Sequence, residues 1–250
     1  MKGKVDSKIQ QCVELIANSK NIVVLTGAGI STSAGIPDFR GPKGLYVTKR
    51  YDPDKVFDIN YFHHDQKPFF EFARDFVKLE DQIKPTRAHC FLGELEKHGK
   101  EIGIVTQNID SLHQMAGSKN VVEIHGSFWE SHCQDCGDLF HYEVMKQKIY
   151  KEIVPHCGCG GVIKPDIVFF GENVKHLNEA FRLAKQADLL FVIGTSCVVY
   201  PAAMVPTMTH GKVVIVNRDE VHLDAVDVVL QVQEDIDGFF ETVGRVLNHG

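Results

Sequence analysis

Short apolar runs rich in β-branched residues recur along the chain, with amphipathic stretches between them. The runs are Ile22–Leu25, Ile102–Val105, Val121–Ile124, Ile167–Phe169, Leu189–Ile193, Val213–Val216 and Val226–Leu230. None alternates with polar residues, so each reads as a strand buried on both faces of a parallel sheet. Ile9, Val13 and Ile16 share one face of a helix over Asp6–Asn18, and Arg87–Lys97 and Leu177–Ala187 carry the same period. A closing helix is expected over Ile236–Leu247. Strands alternating with helices predict an α/β fold: a Rossmann-like parallel sheet with helices on both faces.

Two segments break the rhythm. Gly27–Tyr51 is rich in Gly, Pro and Ser, too irregular for a helix and long for a loop, and long loops in compact domains are usually functional. Gly126–Pro165 holds four clustered cysteines and reads as a small zinc-binding module inserted in the sheet domain. The expected division is therefore 1–125 with 166–250 for the sheet domain, and 126–165 for the insert.

Composition narrows the classes. With 250 residues, 44% of them hydrophobic, the chain can bury a sizeable core. A net charge of -6, spread along the chain, gives no basic stripe for a dedicated nucleic-acid surface. No apolar run reaches membrane-spanning length, and the N-terminus lacks a signal-peptide core, so no membrane association is expected. A soluble, cytoplasmic protein acting as a monomer is the expectation.

Cys133-x2-Cys136 and Cys157-x-Cys159, separated by 20 residues, approximate the spacing of a structural zinc site. Four thiolates make a closed tetrahedral shell and staple a module too small for a core of its own. The second pair is tighter than the usual two-residue gap, and His132 and His156 are neighbouring alternative ligands. Cys12, Cys90 and Cys197 are scattered and read as ordinary buried thiols.

The first apolar run leads into Thr26-Gly27-Ala28-Gly29-Ile30-Ser31-Thr32. A strand followed by Gly-x-Gly begins a nucleotide-binding turn, with Gly27 for the bend and Gly29 for approach of main-chain N–H groups to a pyrophosphate. The third glycine of a dinucleotide fingerprint is replaced by Thr32, and no acid follows a second strand to hold a ribose, which speaks against a dehydrogenase. Asp38-Phe39-Arg40 places an acid, an aromatic and a cation in a row on a loop able to close over a cofactor. Gln107, Asn108 and Asp110 follow one expected strand and His125 follows another. Ligands of open parallel sheets bind beyond such carboxyl ends.

Taken in register, these motifs resemble the sirtuin family of NAD-dependent protein deacylases. The resemblance rests on Gly27-Ala28-Gly29-Ile30-Ser31, Gly35-Ile36-Pro37-Asp38-Phe39-Arg40, Thr106-Gln107-Asn108-Ile109-Asp110, Leu112-His113, Ala116-Gly117 and Glu123-Ile124-His125-Gly126. The zinc cysteines, Phe169-Phe170-Gly171-Glu172, Gly194-Thr195-Ser196 and Val216-Asn217 follow in the family's order, over about residues 20 to 220. The bacterial and archaeal single-domain members are the most similar.

The resemblance implies removal of acetyl-type groups from protein lysines, with release of nicotinamide and O-acyl-ADP-ribose. It implies His125 as general base, with Asn108 ordering the ribose and a water and Asp110 holding the nicotinamide carboxamide. Phe39 would shield the reactive ribose carbon and Arg40 would bind phosphate. Gly27, Ala28, Gly29, Ile30, Thr32, Asp38, Gln107, Ile109, Gly194, Arg218, Asp235 and Ile236 complete the NAD site, with Thr195, Ser196 and Asn217 toward the adenosine. Val168, Phe169, Phe170, Gly171 and Glu172 would pair with an acetylated protein or peptide substrate. Members preferring acidic acyl groups resemble one another in a Tyr and Arg preceded by Ala after the first loop. Val47-Thr48-Lys49-Arg50-Tyr51-Asp52 does not fit that pattern, so neutral acyl groups are expected. The alternatives are a mono-ADP-ribosyltransferase on the same NAD site, a dehydrogenase, and a zinc-stapled binding module.

Overall fold

The computed structural model describes residues 6–38, 51–80 and 82–249. Its strands are β1 (Asn21–Thr26), β2 (Glu101–Thr106), β3 (Val121–Glu123), β4 (Gly126–Cys133), β5 (Leu139–His141), β6 (Ile163–Ile167), β7 (Leu189–Ile193), β8 (Lys212–Asn217) and β9 (Val228–Gln233). Six of them form one parallel sheet in the order β3-β2-β1-β7-β8-β9. The chain winds outward from β1 to β3 on one side and from β7 to β9 on the other. The order therefore reverses between β1 and β7, the place where open sheets leave a crevice.

Both faces of the sheet are covered. Ile22, Val24, Ile104, Phe191, Val214 and Val216 pack on one face against helices Ser7–Ala17, Arg87–Lys97 and Ile236–His249. Val23, Leu25, Val105, Leu190, Val192 and Ile215 face the other side, where Ala180, Leu183 and Ala184 of helix Leu177–Gln186 cover them. Each fully buried aliphatic side chain contributes roughly 1.5–3 kcal/mol, so the two layers supply the gain that ordering the sheet requires.

One expected strand lands elsewhere. The run Ile167–Phe169 does not join the parallel sheet. Its strand is β6, which ends at Ile167 and pairs antiparallel with β4 in a separate sheet of order β5-β4-β6. An apolar run alone does not distinguish a parallel partner from an antiparallel one.

A further core binds this small sheet to helices absent from the sequence reading. Phe62, Phe69, Phe70, Phe72 and Phe76, carried on Ile59–His64 and Lys67–Glu80, pack with Phe128, Met145, Ile149, Ile163 and Phe169. The cysteine-bearing segment is thus not self-sufficient. It borrows an aromatic wall from residues about 60 to 100 positions earlier in the chain. Among the described residues, no helix is long and apolar enough to cross a membrane.

Candidate active site

The cleft at the switch point depends on two loops in close contact. Gly29 N–H donates to the Gly194 carbonyl at 2.8 Å, and Gly27 N–H donates to the Ile193 carbonyl at 3.1 Å. A Cβ on Gly29 would lie 2.7 Å from the Gly194 Cα, a distance real side chains do not adopt. The glycine is required so that the turn after β1 can touch the turn after β7, and its own N–H is spent on that contact. Thr32 stands where a third glycine was missing because the chain forms a 3-10 helix, Ala28–Ala34, in place of the usual α-helix. The Thr32 hydroxyl donates to the Gly29 carbonyl at 3.0 Å.

Above this floor lies a cavity of about 390 Å³. It collects residues from the ends of β1, β2, β7, β8 and β9, together with the segment after β6. Gly27, Ala28, Gly29, Thr32, Asp38, Gln107, Asn108, Ile109, Asp110 and His125 line it, as do Gly194, Thr195, Ser196, Asn217, Arg218, Asp235 and Ile236. Val168, Phe169, Phe170, Gly171 and Glu172 line it as well. Ile30 does not: its side chain is 1% exposed and belongs to the core beneath β1, because the 3-10 turn points it inward. Phe39 and Arg40 lie outside the described residues.

His125 sits two residues past β3. Its Nδ1 is 3.0 Å from the Gln107 carbonyl. A carbonyl only accepts, so Nδ1 carries the proton and donates, which leaves Nε2 as a lone-pair acceptor. Burial lowers the His125 pKa, and the Gln107 bond opposes that shift. The ring is thus held neutral and in one tautomer.

Asp110 is buried. It accepts from the Ser31 hydroxyl at 2.6 Å and from the Leu112 N–H at 3.1 Å. Burial raises its pKa, while these bonds pull the other way. Asn108 donates through Nδ2 to the Gly27 carbonyl and to the Ser31 hydroxyl, both at 3.2 Å. Gln107 donates through Nε2 to the Thr195 hydroxyl at 3.0 Å, which ties the loop after β2 to the loop after β7. Ser111, between Asp110 and Leu112, is left-handed at φ 57, a strained conformation for a serine of the kind that persists only where its surroundings impose it.

A buried polar chain supports these groups from below. His113 Nε2 lies 3.0 Å from the Thr26 hydroxyl, which donates to the Thr106 hydroxyl at 2.9 Å. Thr106 in turn accepts from the Asn108 N–H at 3.0 Å. Ser31, Thr26 and Thr106 were not singled out from the sequence as site residues. Small hydroxyls at strand ends are too common to carry a signal until their partners are known.

The inner end of the cavity is apolar. Ile36, Phe57, Phe72, Phe76, Ile167 and Phe169 form it. The sequence did not single out Phe57, Phe72 or Phe76, because a phenylalanine reads first as core, and here they are both core and lining. Val199, Tyr200 and Pro201 line the cavity as well, with Tyr200 largely exposed.

The four clustered cysteines converge. Their sulfur atoms all lie within 4.8 Å of one another, with Cys133–Cys159 at 3.5 Å and Cys136–Cys157 at 3.6 Å. Zinc–sulfur bonds of about 2.3 Å in a tetrahedron put sulfurs about 3.8 Å apart, so the set fits a zinc ion, whereas a disulfide requires about 2.05 Å. The tight Cys157-x-Cys159 pair is accommodated by a turn in which Gly160 is left-handed, with the Gly161 N–H donating to Cys159 Sγ at 3.4 Å. His132 and His156 are not part of the cluster found among the described residues.

Comparison with known proteins agrees with this geometry. The model of the Sir2 family matches residues 27–201. An NAD-dependent protein deacetylase of Sulfurisphaera tokodaii is 45% identical over 235 residues, 92% of each chain. A solved Sir2 structure holding a deacetylated p53 peptide and 3'-O-acetyl-ADP-ribose superposes with a TM-score of 0.88 at 42% identity, covering 96% of this chain and 98% of the other. Another, holding a p53 peptide and NAD+, gives 0.87 at 40% identity, covering 97% and 100%.

Proposed function

Since this chain belongs to the Sir2 family, we propose that its cleft seats NAD above the sheet with an acylated lysine beside it, and that it acts as an NAD-dependent protein deacetylase. The observation that carries this reading is the convergence of His125, Asn108 and Asp110 on one cavity whose inner end is apolar. Hydroxyl and amide groups of Thr32, Gln107, Thr195, Ser196 and Asn217 along the same wall suit a dinucleotide. When bound, NAD supplies an ADP-ribosyl group that gives up nicotinamide and ends as the acceptor of the acyl group.

The side chains then take these roles. His125 Nε2, with its lone pair open, accepts the proton of a ribose hydroxyl, so that the oxygen can attack the acyl carbon. Asp110, fixed by Ser31 and Leu112, presents a carboxyl group to the nicotinamide amide. Asn108, anchored to Gly27 and Ser31, orders the ribose. Asn217, Arg218, Asp235 and Ile236 serve the adenosine side, and Phe39 and Arg40 the ribose and phosphate.

Peptide binding falls to the segment after β6. Phe170 already donates its N–H to the Phe57 carbonyl and accepts from the Ile59 N–H. Strand-like pairing with a substrate therefore begins at Gly171. The aromatic inner wall favours neutral acyl groups, because an ionised acyl terminus there would lose its hydration.

We assign the NAD-binding unit to 1–125 and 166–250 and the zinc-binding insert to 126–165, with the helices of residues 53–80 packed against that insert. The four thiols suit a reducing compartment, which supports a cytoplasmic location. The test is incubation with NAD and an acetyl-lysine peptide. Nicotinamide and deacetylated peptide are expected in equal amounts, propionyl peptide should also react, and succinyl peptide should react poorly. Reduction of NAD, or ADP-ribosylated protein without deacetylation, would overturn the reading.

A further inference from the structure

Lys164 is a lysine where a core residue is expected. It lies in β6, opposite His132 of β4, and its side chain is only 7% exposed. Its ammonium donates to the Ile167 carbonyl at 2.7 Å and to Glu172 Oε2 at 3.0 Å, and it sits 4.1 Å from the centre of the Phe169 ring. The same Glu172 oxygen accepts the Phe169 N–H at 2.7 Å. One buried cation therefore holds three points of a single turn: its start at Ile167, its middle at Phe169 and its end at Glu172.

That turn has two working faces. On one, the Val168 N–H donates to the His125 carbonyl at 2.8 Å, so the turn grips the main chain of the general base. On the other, Phe170 and Gly171 line the cavity, with Phe170 48% exposed. Gly171 is left-handed at φ 94, and a Cβ there would lie 2.8 Å from the Ile59 side chain, so only glycine fits this bend. A cation buried this deeply is costly unless its hydrogen-bonding capacity is met, and removing it takes from Glu172 the cation that holds its carboxylate at the Phe169 N–H. An apolar residue would fill the space as well, which leaves the shape of the turn as what the lysine provides.

We infer that Lys164 is a positioning residue for the acyl-lysine substrate: through Glu172 it sets the turn that a peptide pairs with, and so couples the cysteine-bearing sheet to substrate binding. This rests on the deacetylase reading above. The turn's residues Val168–Glu172 belong to the expected peptide-binding set and none to the expected NAD-binding set, so the inference separates the two substrates. Loss of Lys164 loosens peptide binding and leaves NAD binding largely unchanged.

The experiment measures peptide KM, NAD KM, kcat and thermal midpoint for the wild type, K164M, K164R, E172Q and K164M/E172Q, with an acetyl-lysine peptide. K164M and E172Q are each expected to raise peptide KM about tenfold, the scale of one charge-assisted hydrogen bond, with NAD KM changed less than about twofold. K164R should restore most of the loss. The double variant should be no worse than K164M, because the two residues act as one unit. Unchanged peptide KM in K164M, or effects that multiply in the double variant, would overturn the positioning role. If K164M does not fold, E172Q decides, and an unchanged peptide KM there overturns the role. A wild type that does not deacetylate at all would overturn the underlying reading instead.

Discussion

The Nδ1 of His125 lies 3.0 Å from the carbonyl oxygen of Gln107, a residue 18 positions earlier at the end of the neighbouring strand. The bond fixes which nitrogen faces the cavity as a base. Replacing His125 by Ala should lower deacetylation on the order of a hundredfold or more, the usual scale for a lost general base. NAD binding should change far less, because the contact of Gly29 with Gly194 and the Thr195 hydroxyl do not involve the ring. Nicotinamide exchange with acyl-peptide present should partly survive. Near-normal turnover in a folded H125A protein would refute the assignment.

The acid limb of the rate profile follows from the same residue. His125 must be neutral to accept a proton, and burial lowers its pKa from the ordinary 6.5. Activity should therefore persist below pH 6.5 and fall only as the pH drops through the lowered value. A profile of kcat/KM against pH checks this. An acid limb centred above 6.5 would show that some other group controls the step.

His89 and His113 predict an acid-labile fold. Both are buried, with ring centres 4.6 Å apart, and among the described residues Nε2 of His89 and Nδ1 of His113 have no partner. Burial lowers the His89 pKa to about 3, and that of His113 falls well below 6.5. Between those values and 6.5 the unfolded chain binds more protons than the folded one. Stability is therefore full above 6.5 and is lost as the pH falls toward the folded pKa, by about 1.4 kcal/mol per pH unit for each ring. Thermal midpoints measured from pH 7 down to 4.5 should drop steeply. Replacing His89 by Gln should flatten that drop, and an unchanged slope would remove the histidine as its cause.

The cysteine cluster predicts one zinc per chain with a structural role. Its four sulfurs lie within 4.8 Å of one another, and four thiolates would complete the shell of a zinc ion with no open position for a water. Cys133→Ser should lose the metal by elemental analysis and lower the thermal midpoint, with activity falling through stability. Because neither core of the parallel sheet includes any of the four cysteines, that sheet should remain folded in the variant. Full metal content in C133S would contradict the ligand set.

The sequence by itself determined what is written locally. The buried strands, helix Arg87–Lys97, the cysteine pairs and the strand-end motifs were all legible, because period, turn chemistry and ligand spacing each act over a few residues. What only the tertiary structure decided depends on segments far apart in the chain. Gly29 reads in the sequence as admitting a pyrophosphate, and only the structure shows that its own N–H meets Gly194. The run at Ile167 was expected in the parallel sheet and instead follows β6 of the antiparallel one. The phenylalanines of Lys67–Glu80 became the wall of the cavity, Ser31 became the partner of Asp110, and Lys164 found Glu172. In each case the residue's type was compatible with several environments. Which one it occupies was set by close packing between elements, where a single carbonyl or ring within 3 to 4 Å fixes the outcome.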